Sequence, residues 1–353
     1  MEMLQINLQA RSYPIYIGQG LITDLPAHLS PRDSWVLISD EIVDSLYGQR
    51  LVERWGGPSI HRIILPVGER AKTLQEVERI VGEMLALGVT RSSGILALGG
   101  GVVGDVAGFC ASIYMRGIPY VQVPTTLLAQ VDSSIGGKTG VNMPQAKNIM
   151  GSFYQPQAVF MDTDSLHTLP RRHLISGLAE VIKYGVIYDY GFLSYLHDHF
   201  AAILNLEEAT ISKVITRCCE IKAEIVAEDE KDEGIRRILN HGHTIGHALE
   251  AATEFQQYTH GEAVLIGMQI EALMARELGL LDQGYCGEIL TLIERTGMGF
   301  KLEDSLLGCL LDHMTKDKKN RGGKVSFVLP SKKGETTEVF LTRQEAGALL
   351  ERL

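Results

Sequence analysis

The chain has 353 residues, more than one hydrophobic core usually supports, so two domains are expected. Hydrophobic residues make up 45% of it, and 43 acidic against 33 basic residues give a net charge of −10. Because no basic run offsets that charge, the composition argues against nucleic-acid binding. The five cysteines lack CxxC spacing, which argues against a disulfide framework or a cysteine-based zinc site.

The first ten residues alternate between apolar and polar side chains. Leu4, Ile6 and Leu8 stand between Gln5, Asn7 and Gln9, a pattern typical of a strand. It differs from a signal peptide or a membrane anchor, so we expect a cytoplasmic protein.

Short β-branched runs then alternate with helical stretches. Runs at residues 35–38, 60–65 and 94–98 precede segments of helical character at residues 41–54, 73–87 and 102–114. This β-α-β order predicts a parallel sheet.

From about residue 166 the period changes to that of long helices. We expect helices over residues 175–187, 206–227, 235–254, 262–278 and 287–295, then a hairpin of residues 324–329 and 338–341 and a last amphipathic helix. The chain is therefore predicted to divide into an α/β domain, residues 1–160, and a mostly α-helical domain, residues 161–353.

A glycine-rich turn closes the strand at residues 94–98. In the sequence LGGGVVGD at residues 98–105, glycines would let backbone N–H groups approach a pyrophosphate at a helix N-terminus. A plain tight turn explains the glycines equally well, and the spacing departs from GxGxxG. Both interpretations stay open.

A second glycine-rich segment, residues 136–139, ends like a P-loop. The earlier position that a P-loop requires to be glycine is Asp132, so this interpretation is excluded. Lys138 is instead expected to contact a phosphate or a carboxylate.

Several cations stand in apolar or glycine-rich surroundings. Taken singly, each is expected on a solvated face, but together with Asn148 and Asn240 they indicate an anionic substrate. They are Arg116, Lys147, Lys183, Lys222, Arg236, Lys318 and Lys319. Glu180 lies within the apolar run 178–182, where only a metal or a cation would make its burial tolerable.

Histidines in the second half suggest a metal site. His243 and His247 are four residues apart, so on a helix both imidazoles project from one face. With His260 and Glu180 they provide the nitrogen and carboxylate ligands that Zn²⁺ favours, with one position left open. Spacing alone leaves open whether His247 is a ligand or an acid/base group, and His241 is expected behind the site or in solvent.

Taken together, these motifs resemble the 3-dehydroquinate synthase family over nearly the whole chain. The matching segments are residues 99–105, 124–128, 131–142, 147–148, 177–185, 239–247 and 260–262. The resemblance implies an N-terminal Rossmann-like NAD-binding α/β domain, a helical C-terminal metal-binding domain, NAD⁺ and Zn²⁺ (or Co²⁺) as cofactors, and a homodimer.

The resemblance also implies roles for individual residues. The metal ligands would be Glu180, His243 and His260, leaving His247 for proton transfer beside the other catalytic residues Lys138, Lys183, Arg236 and Asn240. The NAD contacts would be Asp40, Gly68, Glu69, Lys72, Gly100, Gly101, Val102, Val103, Gly104, Asp105, Thr125, Thr126, Lys138, Lys147, Ser165, Leu166, His167 and Thr168. The substrate contacts would be Arg116 (from the other subunit), Asp132, Lys138, Lys147, Asn148, Lys183, Lys222, Arg236, Asn240, His247 and Lys319.

Two positions depart from the family pattern. Asp232 stands where the family usually carries Glu, which puts its contact to the site in doubt, and His167 stands where Lys is common.

The implied reaction belongs to the shikimate pathway of aromatic amino acid biosynthesis. NAD⁺ oxidises C5 of 3-deoxy-D-arabino-heptulosonate 7-phosphate, phosphate leaves by elimination, the hydride returns, and ring opening with aldol closure gives 3-dehydroquinate. Two other enzyme classes are alternatives: metal-dependent alcohol or polyol dehydrogenases, and other sugar phosphate cyclases. The cations Lys138, Lys147 and Arg236 argue against a neutral alcohol substrate. Arg236 with Asn240 favours a carboxylate-bearing substrate among the cyclases. A non-catalytic binding protein would not need titratable residues in metal spacing.

Overall fold

The structure is a computed structural model and describes residues 1–56, 59–143, 146–299, 304–314 and 323–353. The chain divides into two compact units. The first unit comprises Met1–Pro170 and Glu208–Lys231, and the second comprises Arg171–Glu207 and Asp232–Leu353.

A seven-stranded sheet forms the centre of the first unit. Its order is β1-β2-β9-β6-β5-β3-β4; β1 pairs antiparallel with β2, and all other pairs are parallel. The strands are β1 (Glu2–Ile6), β2 (Tyr13–Gly18), β3 (Ser34–Asp40), β4 (Ser59–Leu65), β5 (Gly94–Gly99), β6 (Tyr120–Pro124) and β9 (Val159–Asp162). A separate antiparallel hairpin consists of β7 (Lys138–Met143) and β8 (Ala146–Phe153).

The central strands are apolar on both faces because helices cover both. In β3, Val36 and Ile38 belong to one buried cluster, whereas Trp35 and Leu37 belong to another. The helices of this unit are α1 (Leu21–His28), α2 (Glu41–Val43), α3 (Gln49–Glu53), α4 (Leu74–Ala86), α5 (Gly101–Ile113) and α8 (Glu208–Glu228).

The second unit is mostly helical and carries one hairpin. Its helices are α6 (Arg171–Ile187), α7 (Tyr190–Leu204), α9 (His243–Ala252), α10 (His260–Glu277), α11 (Gln283–Glu294), α12 (Asp304–Met314) and α13 (Arg343–Leu350). Its strands are β10 (Val325–Lys332) and β11 (Glu335–Leu341). Helix α10 is buried along most of its length, which explains the apolar residues that predominate in its middle. Within the described ranges, no helix is long and apolar enough to cross a membrane.

The predicted fold class, a Rossmann-like α/β domain with a helical C-terminal domain, is confirmed. The single helix predicted over residues 235–254 is wrong. A 3₁₀ segment, Ile235–Asn240, ends before Gly242, which takes the left-handed φ of +79°, and α9 begins at His243. Glycine adopts that conformation without steric cost, so the backbone turns where periodicity alone suggested continuity.

The predicted boundary after residue 160 lies before Pro170, where the first segment of the first unit ends. The sequence also predicted that each domain is one continuous segment, whereas α8 belongs to the first unit although it follows residues of the second. That helix packs against β1 and β2.

Candidate functional site

Glu180 and Lys183 lie one helical turn apart on α6 and are both about 1% exposed. Lys183 Nζ donates to Glu180 Oε2 in a close ion pair. The sequence predicted that Glu180 could be buried only beside a metal or a cation. Lys183 is such a cation and compensates the burial of one carboxylate oxygen. Across the described chain the other oxygen, Oε1, is buried without a hydrogen-bond partner.

Three histidines cluster in the second unit. His243 and His247 come from the first two turns of α9, and His260 is the first residue of α10. One ring nitrogen from each lies within 4.8 Å of the others. His243 Nε2 also lies 3.4 Å from the unpartnered Oε1 of Glu180.

The hydrogen bonds of two of these rings define which nitrogen faces the cluster. His243 Nδ1 is 3.0 Å from the carbonyl oxygen of His241, and His260 Nδ1 is 3.2 Å from Glu250 Oε2. Both partners only accept, so each Nδ1 carries a hydrogen, and in the neutral form of each ring Nε2 keeps its lone pair. These residues therefore fit a divalent metal: imidazole nitrogens and one carboxylate oxygen are the usual ligands of zinc.

Small residues allow the helices that carry these ligands to pack closely. A Cβ at Gly261 would lie 1.9 Å from Ser176 O, and one at Gly267 would lie 2.0 Å from Gly242 O. Gly261 N also donates to Ser176 Oγ at 3.1 Å. Backbone contact between α10 and its neighbours thus fixes the distance of His260 from α6.

The segment before α9 carries Arg236, 3% exposed, and the half-buried Asn240. His241, which follows, is fully buried, and its Nδ1 is 3.0 Å from Glu271 Oε2. The solvent alternative for His241 is therefore wrong. Glu271 also accepts from Gly242 N at 2.6 Å, which holds the turn from which His243 projects.

In the first unit, the glycine-rich turn lies at a change of strand order. Helices leave β3 and β5 toward opposite sides of the sheet, and in parallel sheets ligands bind beyond the carboxyl ends of such neighbouring strands. Those ends are Asp40 and Gly99.

The glycines of this turn are required by the protein's own packing. A Cβ at Gly99 would lie 2.6 Å from Val103 Cγ2, and one at Gly101 would lie 2.9 Å from Ser133 Oγ. Glycine content alone therefore does not indicate a cofactor. A more specific indication of a bound group is Thr125 Oγ1, which is buried and, within the described residues, has no hydrogen-bond partner.

A charged network adjoins the turn. Lys72 Nζ pairs with Asp105 Oδ2 at 2.5 Å, and Asn142 Nδ2 donates to Glu69 Oε2 at 2.8 Å. Burial opposes the charge of Lys72, but the neighbouring carboxylates of Asp105 and Glu69 together outweigh this effect and raise the lysine's pKa. Four polar side chains thus lie within one small region beside the turn.

The other site residues predicted in the first unit differ in their exposure and backbone conformation. Lys222, 4% exposed, donates to Asp132 Oδ1 at 2.7 Å. Lys138 is exposed, Lys147 is half-buried, and Asn148 has a left-handed φ of +52°. Arg116 is exposed and left-handed, with a φ of +68°.

Some predicted cofactor residues have a visible structural use. Asp40 Oδ1 accepts from Ile42 N and Val43 N and so caps α2. Ser165 Oγ donates to Asp162 O at 2.7 Å, and Leu166 is buried. Thr168 Oγ1 bonds Tyr47 Oη at 2.5 Å, whereas His167 is exposed. Lys318 and Lys319 lie outside the described residues.

Comparison with known proteins gives the family. Residues 62–176 match the family model described as 3-dehydroquinate synthase N-terminal, and residues 177–320 match the one described as 3-dehydroquinate synthase C-terminal. A 3-dehydroquinate synthase of Alkaliphilus metalliredigens (strain QYMF) is 53% identical over 350 residues, 99% of this chain and 98% of that protein. The chain belongs to the 3-dehydroquinate synthase family.

Solved structures agree with this assignment. A 2-deoxy-scyllo-inosose synthase with carbaglucose-6-phosphate, NAD⁺ and Co²⁺ has a TM-score of 0.89 at 27% identity, covering 99% of each chain. ValA, a 2-epi-5-epi-valiolone synthase from Streptomyces hygroscopicus subsp. jinggangensis 5008 with NAD⁺ and Zn²⁺, has a TM-score of 0.89 at 29% identity, covering 98% of each. A probable glycerol dehydrogenase from Sinorhizobium meliloti 1021, at 16% identity and TM-score 0.69, shares the fold.

Membership of the 3-dehydroquinate synthase family confirms the prediction of an enzyme of this class. The roles of individual residues stay predictions. The structure brings His247 nearly as close to His243 and His260 as these two are to each other, so proximity does not separate ligand from acid/base residue.

Sequence reasoning missed two carboxylates that contact the histidine segments, Glu250 and Glu271. Glu250 follows His243 by seven residues, which places it on the same helical face, and that spacing could have revealed it. Glu271 stands within the buried apolar run of α10, a signal that an isolated charge needs a partner.

Proposed function

We propose that the chain converts 3-deoxy-D-arabino-heptulosonate 7-phosphate into 3-dehydroquinate and phosphate, using NAD⁺ and a divalent metal, zinc or cobalt. The observation that carries the proposal is the full-length similarity to 3-dehydroquinate synthases at 53% identity. The clustered histidines and the unpartnered oxygen of Glu180 support the metal.

Glu180, His243 and His260 would hold the metal, which when bound polarises a substrate hydroxyl and lowers its pKa. His247, within reach of the same ring nitrogens, would accept or return the hydroxyl proton. Lys183 would orient Glu180, since it pairs with Oε2 and leaves Oε1 beside His243 Nε2.

NAD⁺, when bound, accepts and returns one hydride, so it is not consumed. In the first unit, the N-terminal end of α5 would meet the pyrophosphate through backbone N–H groups. Thr125 Oγ1 would supply a further hydrogen bond, and the network of Glu69, Lys72 and Asp105 would meet ribose and phosphate oxygens. The remaining predicted cofactor residues, including Lys138 and Lys147, are part of the same proposal.

The substrate carries a carboxylate and a phosphate, and the chain offers many cations and amides to meet them. Arg236 can bind a carboxylate with two parallel hydrogen bonds, whereas lysines act as point charges on the departing phosphate. The proposed set is Arg116, Asp132, Lys138, Lys147, Asn148, Lys183, Lys222, Arg236, Asn240, His247 and Lys319. We also propose a cytoplasmic homodimer in which Arg116 reaches the substrate phosphate of the other subunit.

The test is to supply the heptulosonate phosphate with NAD⁺ and zinc and to follow free phosphate together with absorbance at the NADH band. We expect stoichiometric phosphate release without net NADH. Accumulating NADH would favour a dehydrogenase, and turnover of a hexose phosphate instead would favour another cyclase.

His243→Ala is expected to lose zinc binding and turnover together. A variant that keeps one zinc per chain and the normal rate would refute the metal assignment while leaving the substrate assignment intact.

A further inference from the structure

Glu250 is a buried carboxylate beside the histidine cluster. Helix α9 places His243, His247 and Glu250 at positions i, i+4 and i+7, which share one face of a helix. Glu250 is only 4% exposed. A carboxylate buried to this extent needs a partner that compensates its lost hydration.

One partner of Glu250 is a candidate metal ligand. Its Oε2 lies 3.2 Å from His260 Nδ1, and His260 itself is about one-third exposed at its side chain. The hydrogen bond therefore joins the start of α10 to the last turns of α9. It restrains the rotation of the imidazole about its side-chain torsions.

The chemistry of this contact defines the tautomer of His260. A carboxylate oxygen only accepts, so Nδ1 must carry a hydrogen, and in the neutral ring Nε2 then keeps the lone pair that a metal needs. In metal sites a carboxylate behind the ring also increases the basicity of the ligating nitrogen. His243 obtains the same tautomer from a backbone carbonyl, that of His241, which no side-chain substitution can remove.

We propose that Glu250 is a positioning residue that holds His260 in the orientation and tautomer required to bind the metal. Glu250 would not touch the metal or the substrate. The inference rests on the metal site of the proposed function. Glu250 would be a second carboxylate beside the proposed metal site. The first is Glu180, which forms an ion pair with Lys183.

A competing interpretation makes the opposite prediction. If the contact between Glu250 and His260 were an ion pair that had to break before a metal could bind, removing the carboxylate would tighten metal binding. The sign of the change in metal affinity therefore distinguishes a positioning role from a blocking role.

The experiment measures the zinc dissociation constant by competition with a chromophoric chelator, using the full chain in its wild-type form and as Glu250→Gln and Glu250→Ala. Substituting a residue that hydrogen-bonds to a metal ligand typically weakens metal binding by about 10- to 100-fold. We expect a loss in this range, with Glu250→Ala binding at least as weakly as Glu250→Gln. The control is Glu294→Gln, which removes an exposed carboxylate of the same unit. It is expected to bind zinc like wild type.

Two further measurements separate positioning from loss of structure. The Tm of each metal-free variant reports the fold without the metal, and that of Glu250→Gln should match wild type. The visible absorption of the Co²⁺-loaded protein reports ligand geometry, and only the Glu250 variants should change it.

Unchanged or tighter zinc binding by Glu250→Gln would overturn the positioning role while leaving the metal site intact. Equal weakening in Glu294→Gln would also overturn it, because the effect would then come from net charge. A wild-type chain that binds no zinc would instead overturn the metal site itself.

Discussion

The contact of Gly261 with Ser176 predicts that one added methyl group disturbs both stability and metal binding. A Cβ at position 261 would lie 1.9 Å from Ser176 O and 2.5 Å from its carbonyl carbon. These are backbone atoms, so no side-chain rotation can relieve the clash. Since real Cβ contacts stay above 3.0 Å, α10 must move by about 1 Å at its first turn.

The size of both effects follows from that displacement. Overpacking typically costs about 1–3 kcal/mol, and backbone atoms on the opposing side place Gly261→Ala near the upper end. A loss of about 3 kcal/mol corresponds to a Tm lower by roughly 6–12 °C in a domain of this size. His260 moves with the helix start, and because ligand distances tolerate only about 0.2 Å, zinc affinity should fall more than about tenfold.

The assay combines thermal unfolding of the metal-free protein with zinc titration and phosphate release. A misplacement of about 1 Å can lower turnover by about 10²-fold, which is the expected loss. The matched control is Gly287→Ala in α11, where an added Cβ meets nothing within 4 Å and should stabilise the helix by about 0.4–1 kcal/mol. If Gly261→Ala kept the wild-type Tm and zinc affinity, close packing of α10 on α6 would not be what positions His260.

Two further predictions concern the cysteines and the ion pair between Lys72 and Asp105. Cys309 is exposed, whereas the other four cysteines are buried, and burial raises the pKa of the Cys110 thiol to about 12. A native chain should therefore react with one equivalent of a thiol reagent at pH 8, and an unfolded chain with five. Rapid labelling of Cys110 in the native chain would contradict its burial. Burial lowers the pKa of Lys72, but the carboxylates of Asp105 and Glu69 raise it by more. The stabilisation from Lys72 is therefore complete below its unfolded pKa and is lost as pH rises through its folded pKa. The Tm difference between wild type and Lys72→Met should therefore shrink above about pH 10, and a difference that grew with pH would show that the sign is wrong.

Local patterns predicted several elements of this fold because such elements depend on neighbours in sequence. The alternation of Leu4 and Ile6 became β1, and the apolar period of residues 206–227 became α8. The same periods say which face of an element is buried but not which element covers it. That is why the return of α8 to the first unit could not be predicted from its sequence.

The break before α9 depends on a contact far along the chain. Gly242 donates its N–H to Glu271, 29 residues later, and a Cβ at Gly242 would lie 2.5 Å from Met268 Cγ. Neither partner can be inferred from a helical period. Propensity favoured continuing the helix only weakly, and the tertiary contact overrode it.

The metal site shows the same division between local and distant information. Spacing alone paired His243 with His247, because one helix carries both, but it could not select His260 or Glu180. The apolar neighbours of Glu180 made it a candidate, and resemblance to a family supplied the proposed ligand set. Glycines bring these residues together, because Gly261 and Gly267 permit backbone contact between α10 and its neighbours. A Cβ added at either position would lie only 1.9 or 2.0 Å from a backbone oxygen of the neighbouring segment. Glycines within an otherwise buried apolar helix are therefore the sequence signal for the site, because they mark where two backbones approach closely enough for side chains on different helices to share one ion.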